Sequence, residues 1–167
     1  MNHQQKPSCF SLLTHPYAIQ ALGMLYIFTS LSQMYTLTMR KEWYLEVYAY
    51  MPIWLAYTRY AFSWAQRIIG ITGGIGLILR RSFGHWIILG INVFTILTVY
   101  WKHPYTGFLR HAQALDIQYP LFFQQYPFLS FASLARWSMI GHILFDIVFC
   151  SAVIYFLTRP AVKQHFR

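Results

Sequence analysis

The sequence predicts an all-α fold, a bundle of four transmembrane helices without a soluble domain. Hydrophobic residues make up 57% of the 167-residue chain and aromatic residues 20%. Only 10% of the residues are charged, which is too few to cover a water-soluble surface. Four windows approach the ~20 apolar residues of a spanning helix: residues 17–39, 60–79, 84–101 and 134–157. Because they fill most of the chain, we expect residues 1–167 to form one integral membrane domain.

Residues that flank these windows mark where each predicted spanning helix ends. Each window ends beside cations, which lie at membrane surfaces near anionic headgroups. The flanking cations are Arg40, Lys41, Arg59, Arg80, Arg81, Lys102 and Arg159. The fourth window is also stopped by Pro160, and Lys163 suits the negative end of its dipole. The residues expected at the lipid interface are Arg80, Arg81, Arg159 and Lys163.

The net charge of +9 would suggest a nucleic-acid partner for a soluble protein. Here the cations flank apolar windows, so we expect contact with the lipid bilayer and no nucleic acid. Four crossings place both termini on one side, together with the turn at residues 80–85. The cations divide evenly between the two sides. We favour cytoplasmic termini, because the basic turn and tail lie directly against helix ends.

Two connecting loops are rich in aromatic residues, which suits the headgroup layer. Residues 43–58 contain many Tyr and Trp residues and are interrupted by Pro52. Residues 118–122 and 125–129 repeat the pattern Gln-Tyr-Pro followed by Leu and Phe. This repeat either anchors the loop on the bilayer or forms a docking surface for another membrane protein.

The second window places a charge beside two glycines. Arg67, Gly70 and Gly74 are three and four residues apart, so they share one helical face. A Gly-x-x-x-Gly pair allows close helix packing in lipid, and we therefore expect Arg67 to point into the bundle. Such intramembrane charges usually face a partner, a cavity or a pathway.

The fourth window carries a polar stripe, because Ser138, His142, Asp146 and Cys150 recur every four residues. Arg67 and Asp146 lie at overlapping depths, so we expect an ion pair between them. Polar residues of the other windows lie at a similar level. The predicted intramembrane polar cluster comprises Arg67, His142, Asp146, Asn92 and Gln33. It is either interhelical glue, which holds helices in register, or a functional site.

The sequence predicts no cofactor and no metal site. Cys9 and Cys150 do not form a redox motif, and a haem would need a second intramembrane histidine besides His142. No cluster has the spacing of zinc ligands, and no nucleophile and base motif is present. Catalysis therefore has no support in the sequence.

Two short segments have a recognisable pattern: the basic and aromatic turn at residues 76–86 and the ending Leu-Thr-Arg-Pro-x-Val-Lys-x-x-Phe at residues 157–166. They resemble segments of small bacterial four-span membrane proteins of unknown function. The resemblance implies a four-span topology and a bacterial inner membrane. It implies no activity.

We expect a non-catalytic role, as a small accessory or assembly subunit of a larger membrane complex or as a homo-oligomer. The alternative is a small oligomeric transporter or ion-translocating protein that uses Arg67, His142 and Asp146. A third possibility is a lipid- or quinone-binding accessory protein. A hydrated path through the polar cluster would favour transport, whereas a dry and fully paired cluster would favour scaffolding.

Overall fold

The computed structural model describes residues 16–49, 51–118 and 130–166, without the side chains of residues 115, 116 and 118. These residues form seven helices and no strand, which confirms the all-α class. The helices are α1 (Pro16–Met39), α2 (Lys41–Val47), α3 (Ile53–Ile78), α4 (Ser82–Lys102), α5 (Tyr105–Gln118), α6 (Phe131–Thr158) and α7 (Pro160–Lys163). The sequence repeat at residues 118–122 and 125–129 lies outside the described residues, apart from the backbone of residue 118.

The four long helices cover the four apolar windows, but only α4 and α6 are by themselves long and apolar enough to cross a membrane. Polar side chains lower the hydropathy of the other two. Ser, Thr, Gln and Tyr are frequent in α1, while α3 carries Arg59 and Arg67. The sequence analysis did not anticipate α5, a helix within the second aromatic loop.

The long helices pack in chain order. α3 packs against α1 on one side and against α4 on the other, and α6 packs against both α4 and α5. We call the end of the bundle with the α3–α4 turn the terminus side, and the opposite end the loop side. The buried apolar core lies toward the terminus side and comprises Ile19, Tyr26, Leu77, Ile88, Val153, Leu157 and Val162.

The α3–α4 turn is closed by backbone hydrogen bonds. The Arg81 amide donates to the Gly76 carbonyl at 2.8 Å, and the Arg80 amide donates to the Leu77 carbonyl at 3.0 Å. This 6→1 and 5→2 pattern is a Schellman motif, which needs one left-handed residue. Arg80 occupies that position with φ 53°, although glycine is the usual choice there.

Glycines let three helix backbones approach closely on the terminus side. A Cβ atom added at Gly74 would lie 2.7 Å from the carbonyl oxygen of Gly23 in α1. A Cβ atom added at Gly84 in α4 would overlap the backbone of Gly76 in α3. Gly70 faces Ser30, since its added Cβ would lie 2.6 Å from the Ser30 hydroxyl. The Gly-x-x-x-Gly pair of α3 therefore lies in its contact with α1.

We predict that Gly84→Ala destabilises the protein by about 1–3 kcal/mol, because the new methyl group meets backbone atoms that cannot move without separating α3 from α4. Gly90→Ala in the same helix is the matched control, since no atom lies within 4 Å of its added Cβ. The free energy of unfolding, followed by tryptophan fluorescence in mixed micelles, measures both effects. Equal stability of the two variants would contradict the close approach.

Candidate functional site

Asp146, near the middle of α6, binds the side chains of Lys102 and His103 at the end of α4. Its Oδ2 atom lies 2.6 Å from Lys102 Nζ and 2.9 Å from His103 Nε2. Because a carboxylate only accepts hydrogen bonds, His103 donates through Nε2. The side chains of His103 and Asp146 are 13% and 17% exposed, so the contact is largely sheltered from solvent. We call Lys102, His103 and Asp146 the Asp146 centre.

The expected ion pair between Arg67 and Asp146 is wrong, because Asp146 pairs with Lys102 and His103. The order of the helices explains the difference. α4 packs between α3, which carries Arg67, and α6, which carries Asp146. Depth along each helix does not say which helices are neighbours.

Side-chain direction explains why the Asp146 centre forms. A helical side chain leans toward the N-terminus of its own helix. Lys102 ends a helix that runs toward the loop side, so its side chain leans back into the bundle. Asp146 lies on a helix that runs the opposite way, so it leans toward the loop side and meets Lys102.

His142 lies beside the Asp146 centre, one turn before Asp146. Its ring centroid is 5.7 Å from that of His103 and 5.1 Å from that of Phe108. Its Nδ1 atom lies 2.8 Å from the Ser138 carbonyl oxygen and donates to it. The residue is exposed, so His142 contributes an accessible imidazole rather than a buried member of the ion pair.

The remaining predicted cluster residues lie elsewhere, so the expectation of one cluster of five residues is corrected. Asn92 is buried at the middle of α4 and donates from Nδ2 to Tyr26 Oη at 2.6 Å and to the Ile88 carbonyl at 2.7 Å. Gln33 is exposed on the outside of α1. The structure thus brings His142 and Asp146 together around His103 and leaves Asn92 and Gln33 apart from them. Arg67 makes no ion pair with Asp146 but lines a cavity with Lys102 and His103.

Arg67 has no ionic partner among the described residues. Its Nε atom is buried without a hydrogen bond. The residue lines a cavity of about 460 Å³ between α2, α3 and α4, which we call the Arg67 cavity. The other lining residues are Leu37, Tyr44, Tyr48, Arg59, Phe62, Ser63, Gln66, Phe94, Thr98, Trp101, Lys102 and His103.

A second cavity of about 460 Å³ lies between α1, α2, α5 and α6, and we call it the His142 cavity. It shares the side chains of Leu37, Tyr44, Tyr48, Lys102 and His103 with the Arg67 cavity, so the two are neighbours. Cations and histidines line both, but no described carboxylate does. Among the described acids, Asp146 is bound to Lys102 and His103, and Glu46 of α2 is paired with Arg110.

Arg59 differs from Arg67 because its guanidinium is engaged. Its Nη2 atom donates to the Trp101 carbonyl near the end of α4 at 2.6 Å. The guanidinium also stacks over the Tyr48 ring, 4.8 Å from its centroid, as in cation–π contacts. Sequence analysis missed Lys102 and His103 as site residues, although their place directly after an apolar window was a usable signal.

The predicted interfacial cations lie on the terminus side. Arg80 and Arg81 line a polar pocket with Gln164 and His165. Arg159 stacks over the Tyr155 ring at 4.5 Å, and Lys163 ends α7. Among the described residues, no group of three or more His, Cys, Asp or Glu side chains is placed to hold a metal ion.

No known protein family, no curated protein and no solved structure matches this chain.

We predict that Asp146→Asn lowers the free energy of unfolding by about 2–3 kcal/mol, because Lys102 and His103 both lose a sheltered carboxylate partner. Glu46→Gln is the matched control. Glu46 pairs with Arg110 at 3.4 Å on an exposed surface, and such pairs contribute ~0–1 kcal/mol. Unfolding in mixed micelles compares the two variants, and an Asp146→Asn protein as stable as Glu46→Gln would contradict the importance of the Asp146 centre.

Proposed function

We propose that this chain is a four-span protein of a bacterial inner membrane, with both termini in the cytoplasm, and that it acts without catalysis as a small subunit of a larger membrane complex. Large apolar side chains exposed on all four long helices support the membrane placement. Examples are Phe28, Ile68, Leu97 and Val148. Only 17% of the most apolar window of α6 is buried within the protein, so lipid or another chain must cover the rest.

The observation that carries the subunit role is the outward-facing amide of Gln33. It lies six residues before the end of α1, which is ~9 Å inside the helix. Its amide offers two donors and a two-lone-pair acceptor, yet it makes no hydrogen bond to the described residues. An unsatisfied amide is costly in hydrocarbon, whereas a polar group on an adjoining helix would satisfy it.

The surroundings of Gln33 suit a helix contact. Leu25, Thr29 and Gln33 recur every four residues and are all exposed, and we call them the Gln33 face. Thr29 donates its hydroxyl to the Leu25 carbonyl at 2.7 Å, so this hydroxyl is already satisfied within α1. Gln33 is therefore the member of the face that requires a partner, and we propose a transmembrane helix of another subunit with an amide or hydroxyl group.

The packing favours this role over transport through Arg67, His142 and Asp146. A transported ion would have to pass from the loop-side cavities to the terminus side. The buried residues Tyr26, Ile88 and Asn92 lie between these two ends, and Tyr26 and Asn92 are hydrogen-bonded to each other. The Asp146 carboxylate is also held by both Lys102 and His103, which suits a structural role.

We predict that the protein extracted from native membranes in mild detergent migrates with at least one stoichiometric partner chain. Gln33→Leu should weaken this association about 3- to 30-fold, the equivalent of ~0.6–2 kcal/mol for one interhelical hydrogen bond. Native electrophoresis with mass-spectrometric identification of each chain measures it. Gln164→Leu, an exposed substitution of the same type outside the Gln33 face, should leave the complex intact. A monomer or homo-oligomer unaffected by Gln33→Leu would overturn the proposal.

A further inference from the structure

We propose that the Arg67 cavity and the adjoining His142 cavity form a binding site for the phosphate headgroup of an anionic phospholipid. This inference uses the four-span placement but goes beyond the subunit role, since it requires no partner chain. Three properties of the cavities carry it: their charge, the unpaired Arg67, and the walls around them.

The charge of the two cavities is complementary to an anion. Arg59, Arg67 and Lys102 line the Arg67 cavity, and no described carboxylate lines either cavity. Asp146 pairs with Lys102, which leaves the charges of Arg59 and Arg67 without a carboxylate partner among the described residues. The cavities therefore have an excess of positive charge, which a bound anion would offset.

Arg67 forms no ion pair with the described residues, and its buried Nε atom makes no hydrogen bond to them. Leaving the buried Nε atom of Arg67 without a hydrogen bond costs free energy. If Arg67 only held the helices in register, we would expect this hydrogen bond to be made to another residue of the bundle. The planar fork of a guanidinium binds phosphate oxygens through two parallel hydrogen bonds. Ser63 and Gln66, on the same wall, supply further polar groups to a phosphate.

The position of Arg67 suits a headgroup rather than a deep intramembrane ligand. Arg67 follows Arg59 by eight residues, or ~12 Å along α3. Because α3 runs away from the loop side, the Arg67 side chain leans back toward it and brings the guanidinium closer to the level of Arg59. A phosphate drawn slightly below the membrane surface would reach it.

The walls provide a path for acyl chains. Apolar and aromatic side chains of Leu37, Phe62, Phe94 and Trp101 line the Arg67 cavity. α1 and α6 meet through the rings of Tyr26 and Phe149, 6.4 Å apart, toward the terminus side. Toward the loop side they instead form opposite walls of the His142 cavity. The acyl chains of the bound lipid would lie between α1 and α6. A soluble phosphate has no acyl chains and would leave this space unfilled.

The test measures binding to the full chain purified in an uncharged detergent. Short-chain phosphatidylglycerol, short-chain phosphatidylcholine and inorganic phosphate are each added while thermal unfolding is followed, and native mass spectrometry counts bound lipids. We expect phosphatidylglycerol to raise the melting temperature, with no equal effect of phosphatidylcholine or of inorganic phosphate. Equal shifts with inorganic phosphate would identify a soluble anion site and overturn the lipid assignment.

Arg67→Gln should weaken phosphatidylglycerol binding at least tenfold. Arg110→Gln is the matched control, because it removes the same charge from a residue that lines neither cavity. Arg67→Lys keeps the positive charge but lacks the planar guanidinium. If Arg67→Gln does not fold, Arg67→Lys takes its place in the test, and we expect it to bind phosphatidylglycerol more weakly than the unsubstituted chain does. Equal losses in Arg67→Gln and Arg110→Gln, or no binding by the unsubstituted chain, would overturn the site. Neither result affects whether partner chains migrate with the protein in native electrophoresis, which is the test of the subunit role.

Discussion

Asp146 presents one carboxylate oxygen to Lys102 and His103, which lie at and just beyond the last turn of α4. A carboxylate inside an apolar helix needs such partners, since an unpaired charge there is costly. The contact ties the end of α4 to the middle of α6. The part of α6 nearer the loop side is then left for α5, which packs against it.

The two ends of the bundle consequently have different physical characters. Toward the terminus side, glycines bring α1, α3 and α4 to backbone contact, and the core is mainly apolar. Toward the loop side, large aromatic and cationic side chains hold the helices apart around two cavities. Close packing gives stability and register at one end, while the other end has the space and the charge that a ligand requires.

The sequence predicted the helical class and the position of the long helices, because apolar length and flanking cations are local signals. It also indicated the glycine face of α3, since residues three and four apart share a face in any helix. It did not predict the partner of Asp146, because the ionic partner of a side chain depends on which helices are neighbours in the bundle, and local sequence signals do not give this. The position of a polar residue along its helix indicates only its depth in the bundle. Depth alone places Asn92 and Gln33 in a cluster that they do not join. α5 was not foreseen, because its polar residues and the aromatic loop around it suggested only interfacial structure.

Two double-mutant cycles test the central claim that Asp146 is paired with α4 and that Arg67 is left without a partner. The free energy of unfolding is measured for Asp146→Asn, Lys102→Gln and Arg67→Gln, and for the two double variants that contain Asp146→Asn. We expect a coupling energy of about 1–3 kcal/mol between Lys102 and Asp146, and additivity within ~0.5 kcal/mol between Arg67 and Asp146. A coupling between Arg67 and Asp146 as large as that between Lys102 and Asp146 would contradict the account.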